Sequence, residues 1–296
     1  MIRWPAWAIG GTPSWWQLSQ FPPLVCASVL ALDLAGSTAL LTGASGGIGR
    51  VIAAALHGRG ARVLVNGRRT EALEQLRDDL GERVEVIAAD LSDSVGAARL
   101  AERAGAVDVL VANAAVPASG ALTDFTPEQL DRALDVNLRA PIQLSRALVP
   151  GMVERGRGHL VFISSLSGKV ASTRSTVYSA TKFGLRGFAS GLREDLHGSG
   201  VGVTVVFPGF VSGAGMFAEA GVELPRYVGT CTPEDVAAAV VRGVEQDKAE
   251  LDVAPLGLRA GAFLSSIAPV TTARLQRRLG SERLASAIAA GQADKR

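Results

Sequence analysis

Six apolar runs recur along the chain and a shorter seventh follows them. They lie in STALLTGASGGIGR, ARVLVNGRR, RVEVIAADL, VDVLVANAA, GHLVFISS and VGVTVVFPG, with AELDVAP as the seventh. In most of these runs the apolar residues are continuous rather than alternating, the pattern of strands covered on both faces. Between them lie stretches of helical character, such as 69–80 and 126–148, and TPEDV opens another with Thr232 as cap and Pro233 in the first turn. Strands alternating with helices predict an α/β fold, one domain built on a doubly wound parallel sheet with helices on both faces. Crossovers in such a sheet are right-handed, and ligands bind beyond the carboxyl ends of its strands.

This pattern begins near Asp33, and what precedes it is different. Trp4, Trp7, Trp15 and Trp16 all fall within the first 16 residues, where Pro5, Pro13, Pro22 and Pro23 break any long helix. The apolar run 24–32 falls short of the ~20 residues that span a bilayer, and Arg3 is the only basic residue ahead of it. Three readings stand for residues 1–31: a disordered or surface-adsorbing tail, a weak interfacial anchor, or a stretch upstream of the true start. The first, dispensable to the chemistry, is the one expected. Residues 32–255 are expected to form the domain that carries the chemistry and 256–296 a helical extension. In that extension Ala260, Phe263, Leu264 and Ile267 repeat at helical spacing ahead of Arg274, Arg277 and Arg278. A subunit or lid contact is expected there, ahead of a membrane-surface one.

Composition narrows the class. The 296 residues are 48% apolar, enough for a substantial core, and a formal charge of +2 argues against nucleic acid as partner. Cys26 and Cys231 make neither a disulfide framework nor a metal cluster, so a reducing, cytoplasmic setting and no metal are expected.

Candidate chemistry gathers at strand ends. In TGASGGIG the turn holds Gly43, Ser45, Gly46, Gly47, Ile48 and Gly49, after a strand and before a helix. Glycines let backbone approach a ligand, and the helix start presents free N–H groups suited to a pyrophosphate. The second strand ends in Gly67, Arg68 and Arg69, where many dinucleotide folds carry a carboxylate for the ribose 2′-hydroxyl. A guanidinium there suits a 2′-phosphate, so NADP(H) is expected over NAD(H), resting mainly on Arg68, with Arg69 open to being solvated. Asp90 and Leu91 end the third strand and suit an adenine, although aspartate also favours helix caps. Asn113, Ala114 and Ala115 end the fourth; the alanines leave room and the asparagine can tie strands together.

Tyr178 and Lys182 stand four apart in YSATK, on one helical face, with Ser165 at the end of the fifth strand. In a reaction that builds negative charge on an oxygen, a donor must meet that charge. Phenol, with a pKa of ~10, exchanges protons poorly near neutrality. Lowering it three units needs about 4 kcal/mol, which a nearby ammonium and a positive nicotinamide are expected to supply.

TGASGGIG, NAA, Asn137, Ser165, YSATK and the Pro208–Gly209 pair occur in the order and rough spacing of the short-chain dehydrogenase/reductase family, which the chain resembles over about Leu32 to Val211. The resemblance implies a Rossmann-like fold, a nicotinamide cofactor and carbonyl–alcohol interconversion. It implies Tyr178 as general acid/base, Lys182 as its helper and a ribose ligand, Ser165 on the substrate oxygen and Asn137 as proton relay. Gly43, Gly47 and Gly49 match the cofactor turn, and Pro208, Gly209, Val211 and Ser212 fall by the nicotinamide. Where the family has a threonine five residues after the proline stands Gly213, with Ser212 the candidate substitute. Phe210–Cys231 is the expected substrate loop, where Met216, Phe217, Leu224 and Tyr227 suit a hydrophobic substrate or pack on their own core. A homodimer or homotetramer is expected. Alternatives are an NAD(H)-dependent enzyme, a redox-neutral epimerase or dehydratase, and a non-catalytic cofactor-binding regulator or scaffold.

Overall fold

The computed structural model describes residues 31–93, 95–225, 228–278 and 280–295. The tryptophan-bearing segment before residue 31 and Tyr227 lie outside the described residues.

All seven apolar runs are strands: β1 (Thr38–Leu41), β2 (Arg62–Gly67), β3 (Val84–Ala88), β4 (Val109–Ala112), β5 (Gly158–Ile163), β6 (Val201–Pro208) and β7 (Glu250–Val253). They form one parallel sheet in the order β3-β2-β1-β4-β5-β6-β7. Successive strands add outward from β1 on one side and from β4 on the other, so the crevice between β1 and β4 is the topological switch point. The runs in β1 to β6 are largely continuous because these strands feed two cores. Leu41, Val63, Val111 and Val161 enter one cluster with Ile52, Leu56 and Val240. Their neighbours Leu40, Leu64, Leu110 and Phe162 enter another with Leu100, Leu144 and Leu185. The helices α1 (Gly47–Gly58), α2 (Thr70–Leu80) and α8 (Pro233–Gln246) cover the first face; α3 (Gly96–Ala104), α5 (Ala140–Glu154) and α6 (Thr176–Asp195) cover the second.

Local signals set the helix ends. Thr232 accepts from the Asp235 amide at 3.2 Å while the Asp235 carboxylate accepts from the Thr232 amide at 2.9 Å, a reciprocal cap that starts α8. Thr126 and Gln129 do the same for α4 (Pro127–Leu134). The single helix expected over 126–148 is instead α4, a π-helical turn at Asp135–Arg139, and α5. The wider turn sets Asn137 inward, where it is 1% exposed. Beyond β6 comes the short α7 (Gly215–Ala218). Beyond β7 come α9 (Leu256–Ile267), α10 (Pro269–Arg278) and α11 (Ser281–Gly291).

Candidate active site

The glycine turn joins β1 to α1 at the switch point. Gly43 has φ +67°, a left-handed backbone that favours glycine, and a Cβ on it would sit 2.8 Å from Ala114 Cα. A Cβ on Gly49 would lie 2.2 Å from the Gly43 carbonyl oxygen, so the turn closes only without one. Gly46 caps α1 with no side-chain hydrogen bond, and the first turn of α1 carries no acidic residue. Its N–H groups and positive dipole end therefore face the crevice unneutralised, and the cradle fits a pyrophosphate. Ile48 projects toward the following loop, where a Cβ on Gly215 would meet it at 2.9 Å.

Thr42, not singled out in the sequence, organises this end of the sheet. Its hydroxyl oxygen accepts from the amides of Asn113 and Ala114 at 3.1 and 3.0 Å. The Asn113 side chain donates back to the carbonyls of Thr42 and Gly43 at 3.1 and 3.2 Å. Asn113 thus locks β1 to β4, and Ala114 and Ala115 continue the chain past that lock.

At the end of β2, Arg69 is exposed, as expected, and donates to the Ser45 carbonyl at 2.6 Å, holding the glycine turn from outside. A Cβ on Gly67 would meet Ser45 Oγ at 2.9 Å, so this wall is tight. Arg68 is exposed and near enough to Asp90 to lower its carboxyl. Burial pushes Asp90 up, but hydrogen bonds from the Ser92 amide and hydroxyl, with Arg68 and Arg132 nearby, bring it below its ordinary value. Asp90 turns its own loop in this way and does not cap α3, which begins after Val95. Leu91 is buried against Leu64 and Leu100.

The second half of the site follows β5. Ser164 is buried and donates to the Lys182 carbonyl at 3.2 Å, an anchoring role. Ser165 caps a short 3-10 turn, accepting from the Ser167 amide at 3.1 Å, and lies near enough to the Tyr178 phenol to favour its charged form. A Cβ on Gly168 would lie 2.8 Å from the Lys182 carbonyl oxygen, so the turn presses directly on α6. That contact brings Ser165 to Tyr178. Lys182, one turn on, is 2% exposed and donates to the Ile163 carbonyl at 2.9 Å; its ammonium is 5.6 Å from the Tyr178 ring centre.

Electrostatically, the pair departs from the expected pull of lysine on phenol. Burial pushes the Tyr178 phenol up to about 12, with Ser165 pulling the other way. Burial also brings the Lys182 ammonium down to about 8. The cause is geometric: the ammonium is turned to the Ile163 carbonyl, and the apolar surroundings disfavour both charged forms. Near neutral pH the chain's own groups hold the phenol protonated, able to donate.

Asn137 accepts from the Val116 amide at 2.7 Å and donates to the Val116 carbonyl at 3.0 Å, holding the loop after β4. Across the crevice, Gly209 follows Pro208 and donates to the Val253 carbonyl at 2.9 Å. Val211 bridges to Cys231, and Ser212 donates its hydroxyl to the Cys231 carbonyl at 3.2 Å. The substrate loop packs on itself through Phe210 and Phe217, whose ring centres are 4.9 Å apart. It is also clasped from far along the chain: Gln292 donates to the Met216 carbonyl at 3.1 Å, and a Cβ on Gly291 would lie 2.4 Å from the Ala220 oxygen.

Comparison with known proteins points the same way. A family model described as short chain dehydrogenase matches residues 37–223. The ketoacyl reductase HetN of Nostoc sp. is 36% identical over 227 residues, 74% of this chain and 79% of that protein. A crystal structure of a short-chain dehydrogenase from Streptomyces avermitilis has a TM-score of 0.69 at 31% identity, covering 83% of this chain and 98% of its own. That of a metagenomic short-chain oxidoreductase in complex with NADP has a TM-score of 0.64 at 33% identity, covering 76% of this chain and 99% of that one. With the parallel sheet, the glycine cradle at its switch point and the Ser165–Tyr178–Lys182 cluster beside it, these likenesses lead to one conclusion: the chain belongs to the short-chain dehydrogenase/reductase family and is an NAD(P)-dependent oxidoreductase.

Proposed function

We propose that this enzyme reduces an apolar ketone or aldehyde to the alcohol with NADPH, Tyr178 giving the proton. The observation that carries this reading is the meeting of Ser165, at the carboxyl end of β5, with Tyr178 and Lys182 one turn apart on α6, the lysine buried behind the phenol. Gly43, Ser45, Gly46, Gly47, Ile48 and Gly49 would hold the pyrophosphate, Arg68 a 2′-phosphate and Asp90 with Leu91 the adenine. Asn113, Ala114 and Ala115, with Pro208, Gly209, Val211 and Ser212, would border the nicotinamide half. The bound cofactor supplies the hydride that goes to the carbonyl carbon.

The remaining steps belong to the chain. The Ser165 hydroxyl and the Tyr178 phenol both point donors at the carbonyl oxygen, meeting charge where it develops. As the C=O bond opens, the Tyr178 proton passes to that oxygen and leaves a phenolate, which solvent reprotonates. Lys182, within 5.6 Å of the ring and cationic below about pH 8, stabilises the phenolate while it lasts. Asn137 acts as a positioning residue, through the loop it holds at Val116, rather than as a proton carrier. A phenol held neutral near pH 7 carries the proton that reduction consumes. Met216, Phe217 and Leu224 offer an apolar lining to the substrate loop, and two solved relatives, a metagenomic short-chain oxidoreductase and a 3-oxoacyl (acyl-carrier-protein) reductase, have NADP bound.

The test follows NADPH oxidation against a panel of apolar ketones and aldehydes, in the parent and in Tyr178→Phe. Turnover is expected to fall roughly 100-fold or more, the usual size of a lost general acid, with NADPH affinity unchanged. Turnover within a few-fold of the parent would overturn the proton-donor role.

A further inference from the structure

We propose that α9, with the basic α10 behind it, seats this enzyme on an anionic lipid surface. The helix has two opposed stripes. Leu258, Ala262 and Ser265 turn inward, with Ala262 buried and Leu258 reaching toward Gly209 beside the site. Leu256, Phe263, Leu264 and Ile267 turn outward and, with Val270 at the start of α10, are 56–78% exposed. Single exposed apolar residues are ordinary; four on one stripe, with a fifth at the start of α10, mark a surface that something covers. A lid would press this stripe onto its own chain, whereas it faces away.

Charge identifies the covering surface. Between Asp252 and Glu282 the chain carries Arg259, Arg274, Arg277 and Arg278 and no acidic residue. Those four guanidiniums are exposed, and among the described residues none is ion-paired. A second copy would bring the same four positive charges to the contact, a repulsive pairing. Residues 1–30 bring no acidic residue either, only Arg3. An anionic bilayer supplies both halves of the complement: apolar depth for the stripe and negative headgroups for the arginines. The helix lies on such a surface and does not cross it, since none of the described helices is long and apolar enough to span a membrane. Because α9 leaves the carboxyl end of β7, on the same side of the sheet as the site, this seating turns the site toward the lipid.

The experiment is co-sedimentation of the full chain with vesicles of phosphatidylcholine alone or with about a third phosphatidylglycerol, at low and high salt. Binding to the anionic vesicles is expected to exceed binding to neutral ones about tenfold or more and to weaken with salt, since each basic residue near such a surface contributes about fivefold. The pair Phe263→Glu with Ile267→Glu is expected to cut vesicle binding about tenfold or more. NADPH affinity and oligomeric mass should stay as in the parent. A second pair, Arg277→Glu with Arg278→Glu, leaves the apolar stripe intact and is expected to abolish the preference for anionic lipid. No binding by the parent, or equal binding by both pairs and the parent, overturns the proposal. A fall in oligomeric mass in the first pair, with no vesicle binding by the parent, assigns the stripe to a contact between copies instead.

Discussion

Arg68 stands exposed at the end of β2, where a 2′-phosphate would lie, and its charge is felt by Asp90. A charge-assisted contact to a phosphate is worth ~1.5–3 kcal/mol, so Arg68→Asp is expected to weaken NADPH binding roughly ten- to a hundredfold. The new carboxylate adds repulsion against the phosphate and can accept from the ribose hydroxyls of NADH, which therefore loses little. Parallel fluorescence titrations of both cofactors measure this; an unchanged ratio of dissociation constants would leave Arg68 a surface residue and favour NAD(H). Arg69 cannot take over the phosphate without releasing Ser45, to whose carbonyl it donates. That difference between neighbours was not legible in the sequence, where both arginines follow the same strand. Spacing placed Tyr178 and Lys182 on one face of α6, and this held. It did not show that the ammonium would turn to Ile163 and leave the phenol high, because that depends on a carbonyl nineteen residues away. Thr42 escaped notice for a related reason: a buried hydroxyl at a strand end looks like any threonine until two amides converge on it.

At the scale of elements, the glycine turn depends on contacts that a single methyl would break. Gly49→Ala places its Cβ against the backbone of Gly43 and Ala44, which cannot swing away as a side chain could. A loss of ~1–3 kcal/mol in stability is expected, with cofactor affinity falling alongside it. Gly58→Ala, at the far end of the same helix where a Cβ meets nothing within 4 Å, should instead gain about 0.5 kcal/mol through the unfolded chain. Urea unfolding of both variants checks the contrast, and equal effects would show that the turn is not the constraint. The seven strands and the cap at Thr232 were legible because their signals are local: apolar continuity and a threonine three residues before an aspartate. The π-helical turn at Asn137 was not, since it serves a partner, Val116, on another element. Nor was the clasp of α11 on the substrate loop, made between Gln292 and Met216 with no sequence pattern linking them.

For the whole molecule, acid stability turns on a group far from the chemistry. His159 is 1% exposed on β5, its Nε2 2.8 Å from the Thr204 hydroxyl. Burial lowers its pKa to about 4, with Asp247 pulling it up and Arg193 pushing it down. Arg193 and Asp247 are themselves locked by two hydrogen bonds of 2.8 and 2.7 Å, so neither is free to swing onto a charged imidazole. The ordinary histidine pKa of ~6.5 applies to the unfolded chain. Between about 6.5 and 4 the unfolded chain therefore binds a proton that the folded one refuses, and stability falls as pH drops through that window. At pH 5 the loss amounts to about 2 kcal/mol relative to pH 7.5, on the scale of 1.36 kcal/mol per pKa unit. His159→Gln keeps a polar partner for Thr204 and removes the titration. It is expected to start less stable at pH 7.5, because a buried ring is lost, yet to lose about 2 kcal/mol less on acidification. Urea unfolding at the two pH values measures the double difference. Parallel slopes in parent and variant would mean that the imidazole is charged in the fold after all, and that acid unfolding is governed by the carboxylates at the surface.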